Sequence, residues 1–505
     1  MTRISSWMLL LVLTLGICLL SETPSRGEED LDNRIKALKQ ELTTLEERQV
    51  ELKKEATAAA AAMPTFQYRP GNGLNIEAAD KAWGLRATIE THFRYLFEAG
   101  LPQQGRTNGE LMGRRFRPGM YYCINNCLWE IEAILDLDGF GTGNAKNSTA
   151  TSVGSILQRG AINFHAEKLN PFLPTMQFGM DVSTSIGVAR QGSSSTGTQA
   201  EYDLLTRNTF DDGRAGQGMV LNWDDRPLDG IGIPGRINRF QVAMASVQDG
   251  DDGLSSFTDR KDFVVYLGLE PFSQLKNKWL SGMKFEMGSW FCNRDTRETL
   301  TGGNSCSRLQ IQDLGNGGRQ TLFDTGANSV GKGLAPLLVP GFTWDLGPYS
   351  LRLAGGFQSY ADRGGTTGQK RANMFLIGHD LFLWSPKGFL TGSATTPGSI
   401  LFGTHFERTN ASCETAARCS TINGGQFHRD RILLREWDLF YFLSPRMSIG
   451  PSILWYDASN LNNAVGQAGY NLGLCSKNAA TNTTNCRPGV GGDWVDVMFN
   501  WRYTF

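Results

Sequence analysis

The side chains whose chemistry most clearly suggests a function are arginines, which lie in short segments where polar and apolar residues alternate. A guanidinium group keeps its charge and donates several hydrogen bonds, so a row of them beside a solvent path can attract anions. If the polar positions of these segments face one way, the arginines form one charged surface. The residues that are candidates for lining such a path and for determining its ion selectivity are Arg86, Arg94, Arg115, Arg117, Arg159 and Arg352.

Acidic residues on the same predicted faces nearly balance these arginines. A surface with both signs gives a transverse electric field and does not by itself predict a strong preference for anions. The whole chain has 49 Lys and Arg against 50 Asp and Glu, so its charge gives no reason to expect a nucleic-acid partner. The acidic candidates are Glu90, Glu130, Glu132, Asp136, Glu270, Glu286, Glu407 and Asp496.

Motifs for other chemistries are missing from the sequence. It contains no Cys-x-x-Cys, no His-Glu-x-x-His and no Gly-x-Ser-x-Gly. The acidic run at 249–253 lacks the distal glutamate of a calcium loop, which favours an acidic surface loop. We therefore expect no catalytic residues, no metal site and no cofactor. A membrane hydrolase that uses serine and histidine without the usual motif stays open as a weaker alternative.

Eight cysteines follow the N-terminal segment and fall into four locally spaced couples. An even number of cysteines in an exported chain favours disulfides, although the sequence cannot choose among the possible connectivities. Local pairing is the simplest choice and predicts structural disulfide bonds within loops. The couples are Cys123 with Cys127, Cys292 with Cys306, Cys413 with Cys419, and Cys475 with Cys486.

The last eleven residues show which element positions the polar side chains. Apolar and aromatic residues occupy every second position from Val495 to Phe505. The residues between them are Asp496, Met498, Asn500, Arg502 and Thr504. Because side chains alternate across a strand, one face of this segment is apolar and the other is polar, as in a strand that separates lipid from water. Chains of outer-membrane barrels end on similar strands.

Sixteen segments of this kind follow residue 83, and long and short connections alternate between them. Barrels of the outer membrane join their strands in this way, with short turns on one side and long loops on the other. The sequence thus predicts an all-β transmembrane barrel of about 16 antiparallel strands, preceded by a short N-terminal coiled-coil helix. A soluble sandwich or propeller would leave the aromatic face of the last strand unexplained.

The N-terminal region predicts three further parts. Residues 1–27 have a basic start and a short apolar core, as in a secretory signal peptide. Residues 28–57 carry a heptad seam of apolar residues and predict a periplasmic coiled coil, with a lone amphipathic helix as the alternative. Residues 58–82 are expected to be a linker, and 83–505 the barrel. The seam consists of Leu31, Ile35, Leu38, Leu42, Leu45, Gln49 and Leu52.

The order of these parts resembles the phosphate-selective porin O and P family. Two local stretches carry the resemblance. One is the run Gly73, Leu74, Asn75, Ile76, Glu77, Ala78, Ala79 and Asp80 before the first strand. The other is the run Arg114, Arg115, Phe116, Arg117, Pro118 and Gly119, followed by Trp129 and Asp136.

The resemblance implies a homotrimeric porin in the outer membrane of a Gram-negative-type bacterium. It also implies a third loop, here 184–213, that folds into the lumen, and basic residues that attract phosphate. The expected partners are outer-membrane lipid, further copies of the chain, and small solutes or anions. Two alternatives stay open: a structural or surface-exposed outer-membrane protein, and a barrel sheath for an electron-transfer partner.

Overall fold

The structure is a computed structural model, and the chain divides into two units, Met1–Pro64 and Thr65–Phe505. The signal peptide predicted at 1–27 and the inward loop predicted at 184–213 lie outside the described residues, apart from Gly27. The described residues are 27–69, 72–99, 108–135, 137, 157–180, 218–228, 231–245, 262–294, 310–312, 321–324, 333–360, 370–386, 397–413, 430–444, 446–459, 475–478, 483–486 and 492–504.

The first unit contains one long helix, α1 (Gly27–Ala62). It continues past the predicted end of the coiled coil at residue 57 because the alanines that follow are the strongest helix formers. Pro64 stands just beyond its end, where a helix cannot continue. The described apolar seam residues are largely exposed, from 41% at Ile35 to 64% at Leu38. Among the described residues, no helix has the length and apolar character needed to cross a membrane.

The second unit is a closed antiparallel barrel of sixteen strands, as the sequence predicted. Its wall consists of β3 (Trp83–Ala99), β4 (Asn108–Ile124), β5 (Trp129–Leu135), β6 (Leu157–His165), β7 (Thr175–Met180), β8 (Gly218–Pro227), β9 (Arg236–Ala245), β10 (Asp262–Glu270), β11 (Met283–Arg294), β14 (Gly333–Leu346), β15 (Tyr349–Tyr360), β16 (Lys370–Trp384), β17 (Ile400–Cys413), β18 (Asp430–Ser444), β19 (Met447–Ser459) and β22 (Gly492–Thr504).

The pairing of the last strand with the first closes the wall. β22 runs antiparallel to β3 from the Val495–Ala99 pair to the Thr504–Glu90 pair. Closure leaves no free edge in the wall, so each strand can satisfy its backbone hydrogen bonds with two neighbours.

Side chains alternate across the wall as the sequence predicts. In β22, Val497, Phe499 and Trp501 are exposed on the outer face, whereas Asp496 and Asn500 are buried on the inner face. The same alternation exposes Trp129, Ile131 and Leu135 in β5. An apolar, aromatic outer face with a polar inner face is suited to lipid outside and polar groups inside.

The connections alternate in length around most of the barrel, with an exception where 361–369 is shorter than the following 385–399. The short ones include 125–128, 347–348 and 445–446, all at the same end of the barrel, and this end also holds the helix α2 (Lys278–Ser281). The connections at the opposite end include 181–217, 295–332 and 460–491. Two of these contain separate hairpins in their described parts, β12 (Gln310–Gln312) with β13 (Thr321–Asp324), and β20 (Cys475–Asn478) with β21 (Thr483–Cys486).

The structure differs from the linker predicted at 58–82. After α1 ends, a hairpin of β1 (Thr65–Arg69) and β2 (Gly73–Glu77) forms, and β2 pairs with the first residues of β3. This edge of β3 is available because β22 pairs with β3 only from Glu90 onward. Gly73 has φ +76° and lies against the carbonyl of Ala87, where no other residue would fit. The strands were missed because each has only five residues.

The structure describes part of the predicted disulfide set. A disulfide joins Cys123, near the end of β4, to Cys127 in the short turn that follows. The backbones of Cys475 and Cys486 are directly opposite each other in the β20–β21 hairpin. Cys292 and Cys413 lie in β11 and β17, whereas Cys306 and Cys419 lie outside the described residues. The connectivity as a whole stays a prediction.

Candidate functional site

The inner wall of the barrel holds the arginines that the sequence singled out. Arg86 and Arg94 lie on β3, Arg117 on β4, Arg159 on β6 and Arg352 on β15. Arg115 lies on β4 with its backbone opposite His92, and its side chain lies outside the described part of the chain. Strand pairing therefore brings the arginines of β3 and β4 onto neighbouring strands.

Several of these arginines are engaged within the wall. Arg159 forms an ion pair with Glu132 at 3.2 Å. The guanidinium of Arg86 lies over the ring of Tyr121, 3.9 Å from its centroid. Arg94 is fully buried, and Arg117 is only 9% exposed. These contacts and the burial hold the arginine side chains in place. The wall therefore does not present a row of fully hydrated cations.

The most extensive arrangement on the inner wall is a polar belt that crosses seven neighbouring strands, including the closure between β22 and β3. We define the belt by its members, which follow the order of the strands: Arg352 on β15, Asp380 on β16, His405 on β17, Asp438 on β18, Ser452 on β19, Asn500 on β22, and His92 with Arg94 on β3.

The first half of the belt is centred on His405. Arg352 donates from Nη2 to Asp380 Oδ2 at 3.0 Å and to His405 Nε2 at 2.6 Å. His405 Nδ1 faces β18, where it lies 3.6 Å from Asp438 Oδ2. The imidazole ring therefore links an arginine on one side to a carboxylate on the other.

The second half of the belt carries the network across the closure of the barrel. Ser452 donates to Asp438 Oδ1 at 2.5 Å, and the amide of Asn500 donates to Ser452 Oγ at 3.1 Å. The side-chain oxygen of Asn500 accepts from Arg94 Nε at 3.0 Å and lies 3.2 Å from His92 Nε2. One asparagine thus joins the last two strands of the wall to the first.

Two inward-facing glycines make the belt sterically possible. Gly378 is paired with both Arg352 and His405, and a Cβ there would lie 2.8 Å from His405 Cδ2. Gly403 is paired with Asp380 and Asp438, and a Cβ there would lie 3.1 Å from Asp380 Oδ1. Without side chains at these two positions, groups two strands apart can reach each other directly.

The rest of the described inner wall also pairs charges, but parts of it are more open. Glu286 accepts a hydrogen bond from Tyr266 and lies 3.1 Å from Lys284 Nζ. Near the short-turn end, Arg239 pairs with Asp224 at 2.7 Å, and both side chains are at least 40% exposed. The interior therefore combines a buried belt with a charged, more accessible mouth.

The sequence did not single out several members of this arrangement. Asp380, Glu436 and Asp438 are inward-facing and buried, yet none was among the predicted acidic residues of the wall. The sequence also predicted no metal-ligating set, whereas the structure brings His405, Glu436 and Asp438 together. The available signal was the spacing of Glu436 and Asp438 by two residues, which places both on one face of a strand.

A closed wall that is apolar outside and polar inside defines the class of a membrane-type β-barrel. No protein-family model matches the chain, and no curated protein matches its sequence. Solved structures similar to it include OmpT, an outer membrane protein of Vibrio cholerae, with 7% identity over 84% of this chain and 98% of that chain and a TM-score of 0.47.

Two further solved structures are also similar to this chain. OprB of Pseudomonas putida has 9% identity over 84% of this chain and 95% of that chain, with a TM-score of 0.47. The outer membrane channel DcaP of Acinetobacter baumannii has 7% identity over 84% of this chain and 98% of that chain, with a TM-score of 0.45. At this level of similarity, the function has to be argued from the residues of this chain.

Proposed function

We propose that the chain is an outer-membrane porin that lets small hydrophilic solutes or ions diffuse passively, without catalysis. One observation carries this proposal: many charged and polar side chains, with apolar ones such as Leu434 and Phe440 between them, line the inside of the closed barrel, while its outside is largely apolar and aromatic. A structure that only had to be stable in lipid would gain nothing from charges in its interior, since burying a charge is costly even when it is paired. A solute path explains their presence.

The polar belt limits the size of the solute that we expect to pass through the barrel. Its members are almost fully buried and contact one another at hydrogen-bonding distances. We therefore expect a narrow, polar section that favours small ions over larger solutes. This crowding also argues against a sheath for an electron-transfer partner, because such a sheath needs a lumen wide enough for a folded protein.

Small anions such as phosphate are part of the proposal because arginines concentrate on β3 and β4. Arg86 and Arg117 face the interior on these adjacent strands. The ring of Tyr121 stacks against the guanidinium group of Arg86 and does not neutralise its charge. Since carboxylates also line the wall, we expect a modest preference for anions.

Planar-bilayer recording of the purified protein tests this function. We expect small ohmic steps, a modest anion preference in asymmetric salt, and partial block by phosphate. The double variant Arg86→Gln, Arg117→Gln should shift the ratio of anion to cation permeability toward cations, because it removes two positive charges from the path. The measurement is the zero-current potential.

Arg408 supplies a matched control for this recording. Its side chain is exposed and bonds to Asn410 on the same strand, on the face opposite His405 and Glu407. Arg408→Gln should leave the zero-current potential unchanged. Folded protein that inserts but gives no steps would contradict the porin proposal and favour a structural surface protein.

We further propose that the protein is a homotrimer whose helices α1 form a periplasmic coiled coil. The exposed heptad seam supports this, since an apolar stripe of this kind is stable only when another helix covers it. Each fully buried leucine contributes about 1.5–3 kcal/mol. The double variant Leu38→Asn, Leu45→Asn should therefore lower the temperature at which the trimer dissociates, as measured by native mass analysis in detergent after heating.

The control for the seam uses residues of α1 outside it. Lys36→Gln, Glu47→Gln changes the side of the helix that faces away from the seam, at heptad positions b and f, and the dissociation temperature should stay near that of the unmodified protein. A native mass of one chain for the unmodified protein would show that the trimer proposal is wrong.

A further inference from the structure

The feature with the strongest unassigned chemistry is a group of three ligand-type side chains on β17 and β18. His405 is paired with Glu436 across these strands, and Asp438 follows two residues later on the same face. All three are buried, with exposures of 2%, 1% and 1%. Three ligand atoms, one from each side chain, lie within 4.8 Å of one another.

Two atoms of this group are buried without a hydrogen bond. His405 Nδ1 lies 3.6 Å from Asp438 Oδ2 and 3.9 Å from Glu436 Oε2, which is beyond hydrogen-bonding distance in both cases. Neither His405 Nδ1 nor Asp438 Oδ2 forms a hydrogen bond elsewhere. A buried nitrogen and a buried carboxylate oxygen that face each other across such a gap would both be satisfied by a cation between them.

We propose that His405, Glu436 and Asp438 bind a divalent transition-metal cation, with Zn²⁺ as the reference ion. One imidazole nitrogen with two carboxylate oxygens suits this class of ion, whereas Mg²⁺ and Ca²⁺ favour oxygen ligands alone. Bonds of about 2.0–2.2 Å place neighbouring ligand atoms roughly 3.0–3.6 Å apart. The three side chains therefore need only a small contraction, and water completes the coordination.

The surroundings of His405 include a carboxylate suited to orient it. A metal-ligating histidine donates its other ring N–H, usually to a carboxylate or a carbonyl. Asp380 Oδ1 lies 3.6 Å from His405 Nε2. Asp380 is thus a positioning residue, which would hold the ring with its Nδ1 lone pair directed at the cation.

Arg352 imposes a condition on binding. Its guanidinium has only donors, so the 2.6 Å contact makes His405 Nε2 an acceptor and leaves the ring proton on Nδ1. When a cation takes the lone pair of Nδ1, the proton has to lie on Nε2. Arg352 then turns from His405 to Asp380 Oδ2, to which it already donates at 3.0 Å. Metal binding should therefore rearrange the first half of the belt.

Metal titration of the full chain in detergent tests the site. The protein is stripped with a chelator and then titrated with Co²⁺, whose visible absorption reports its coordination. We expect one equivalent to bind with nitrogen and oxygen ligands, without a thiolate charge-transfer band, and to be displaced by Zn²⁺. Failure to bind one equivalent, or a thiolate band, would overturn the proposal. This result needs no variant.

Variants then locate the ion. Asp438→Asn and Glu436→Gln should each weaken Zn²⁺ binding by more than about 100-fold, since the loss of an orienting partner alone costs about 10–100-fold. Asp380→Asn should weaken it by about 10–100-fold with unchanged stoichiometry. Unchanged affinity in the folded Asp438→Asn protein would also overturn the proposal.

Glu286→Gln is the matched control for these variants. Glu286 is a buried, inward-facing carboxylate on β11 that bonds to Tyr266 outside the proposed site. Its replacement should leave Zn²⁺ affinity unchanged, and circular dichroism should show the same β content in every variant. Because conductance is not measured, a negative result leaves the porin proposal intact.

Discussion

Replacing Phe499 with arginine is expected to destabilise the barrel in a lipid bilayer by about 2–4 kcal/mol. Phe499 lies near the middle of β22, and 48% of it is exposed on the outer face between Val497 and Trp501. An arginine there would place its charge among lipid tails, where no water or partner compensates it. The effect is measured as the free energy of unfolding from vesicles by denaturant, followed by tryptophan fluorescence.

Val495→Arg is the depth control for this prediction. Val495 lies on the same face, four residues or about 13 Å along the strand toward the long-loop end. Its replacement should cost only about 0–1 kcal/mol, because an arginine near the interface reaches the head groups. Equal costs at both positions, or no cost at Phe499, would show that the outer face does not meet lipid as described.

Replacing Asn500 with leucine is expected to cost about 3 kcal/mol of unfolding free energy. Its amide and oxygen bond to Ser452, His92 and Arg94, and the side chain has no exposed surface. Leucine keeps the volume but removes these hydrogen bonds, one of which involves a charged donor. The change also acts at the closure between β22 and β3. Equilibrium unfolding from vesicles measures it.

Asn163→Leu provides a comparison of the same residue type. Asn163 on β6 is inward-facing and 7% exposed, and it donates one hydrogen bond at 3.0 Å to Glu130 on the neighbouring strand β5. We expect a cost of about 1 kcal/mol, as for a single hydrogen bond. If the two variants were equally stable, the belt would contribute no more to closure than an isolated contact does.

The fold follows largely from local patterns. Alternation in residues 495–505 predicts which side chains of β22 face outward, and the structure places Phe499 outside and Asn500 inside. The lengths of the connections predict the number of strands and the end at which each turn lies. Both signals are local. The alternation of side chains in a strand, and the length of the turn that follows it, do not depend on which strand it pairs with.

Two local patterns failed for identifiable reasons. The sequence predicts a linker where the structure has the hairpin at residues 65–77, because strands of five residues are too short to show a clear alternation. In β18 charges lie on both faces: Arg435 points outward and stacks over Trp455, whereas Glu436 and Asp438 point inward. Period two alone could not decide which of these faces was polar.

The sequence by itself determined that this chain forms a barrel, which side chains face the interior in clearly alternating strands such as β22, and that the interior carries both signs of charge. Only the tertiary structure decided which inward residues meet. The polar belt and the His405, Glu436 and Asp438 group depend on strand register and on the space left by Gly378 and Gly403. Alternation fixes a face but not a register, and contacts between residues far apart in sequence exist only once the strands are paired.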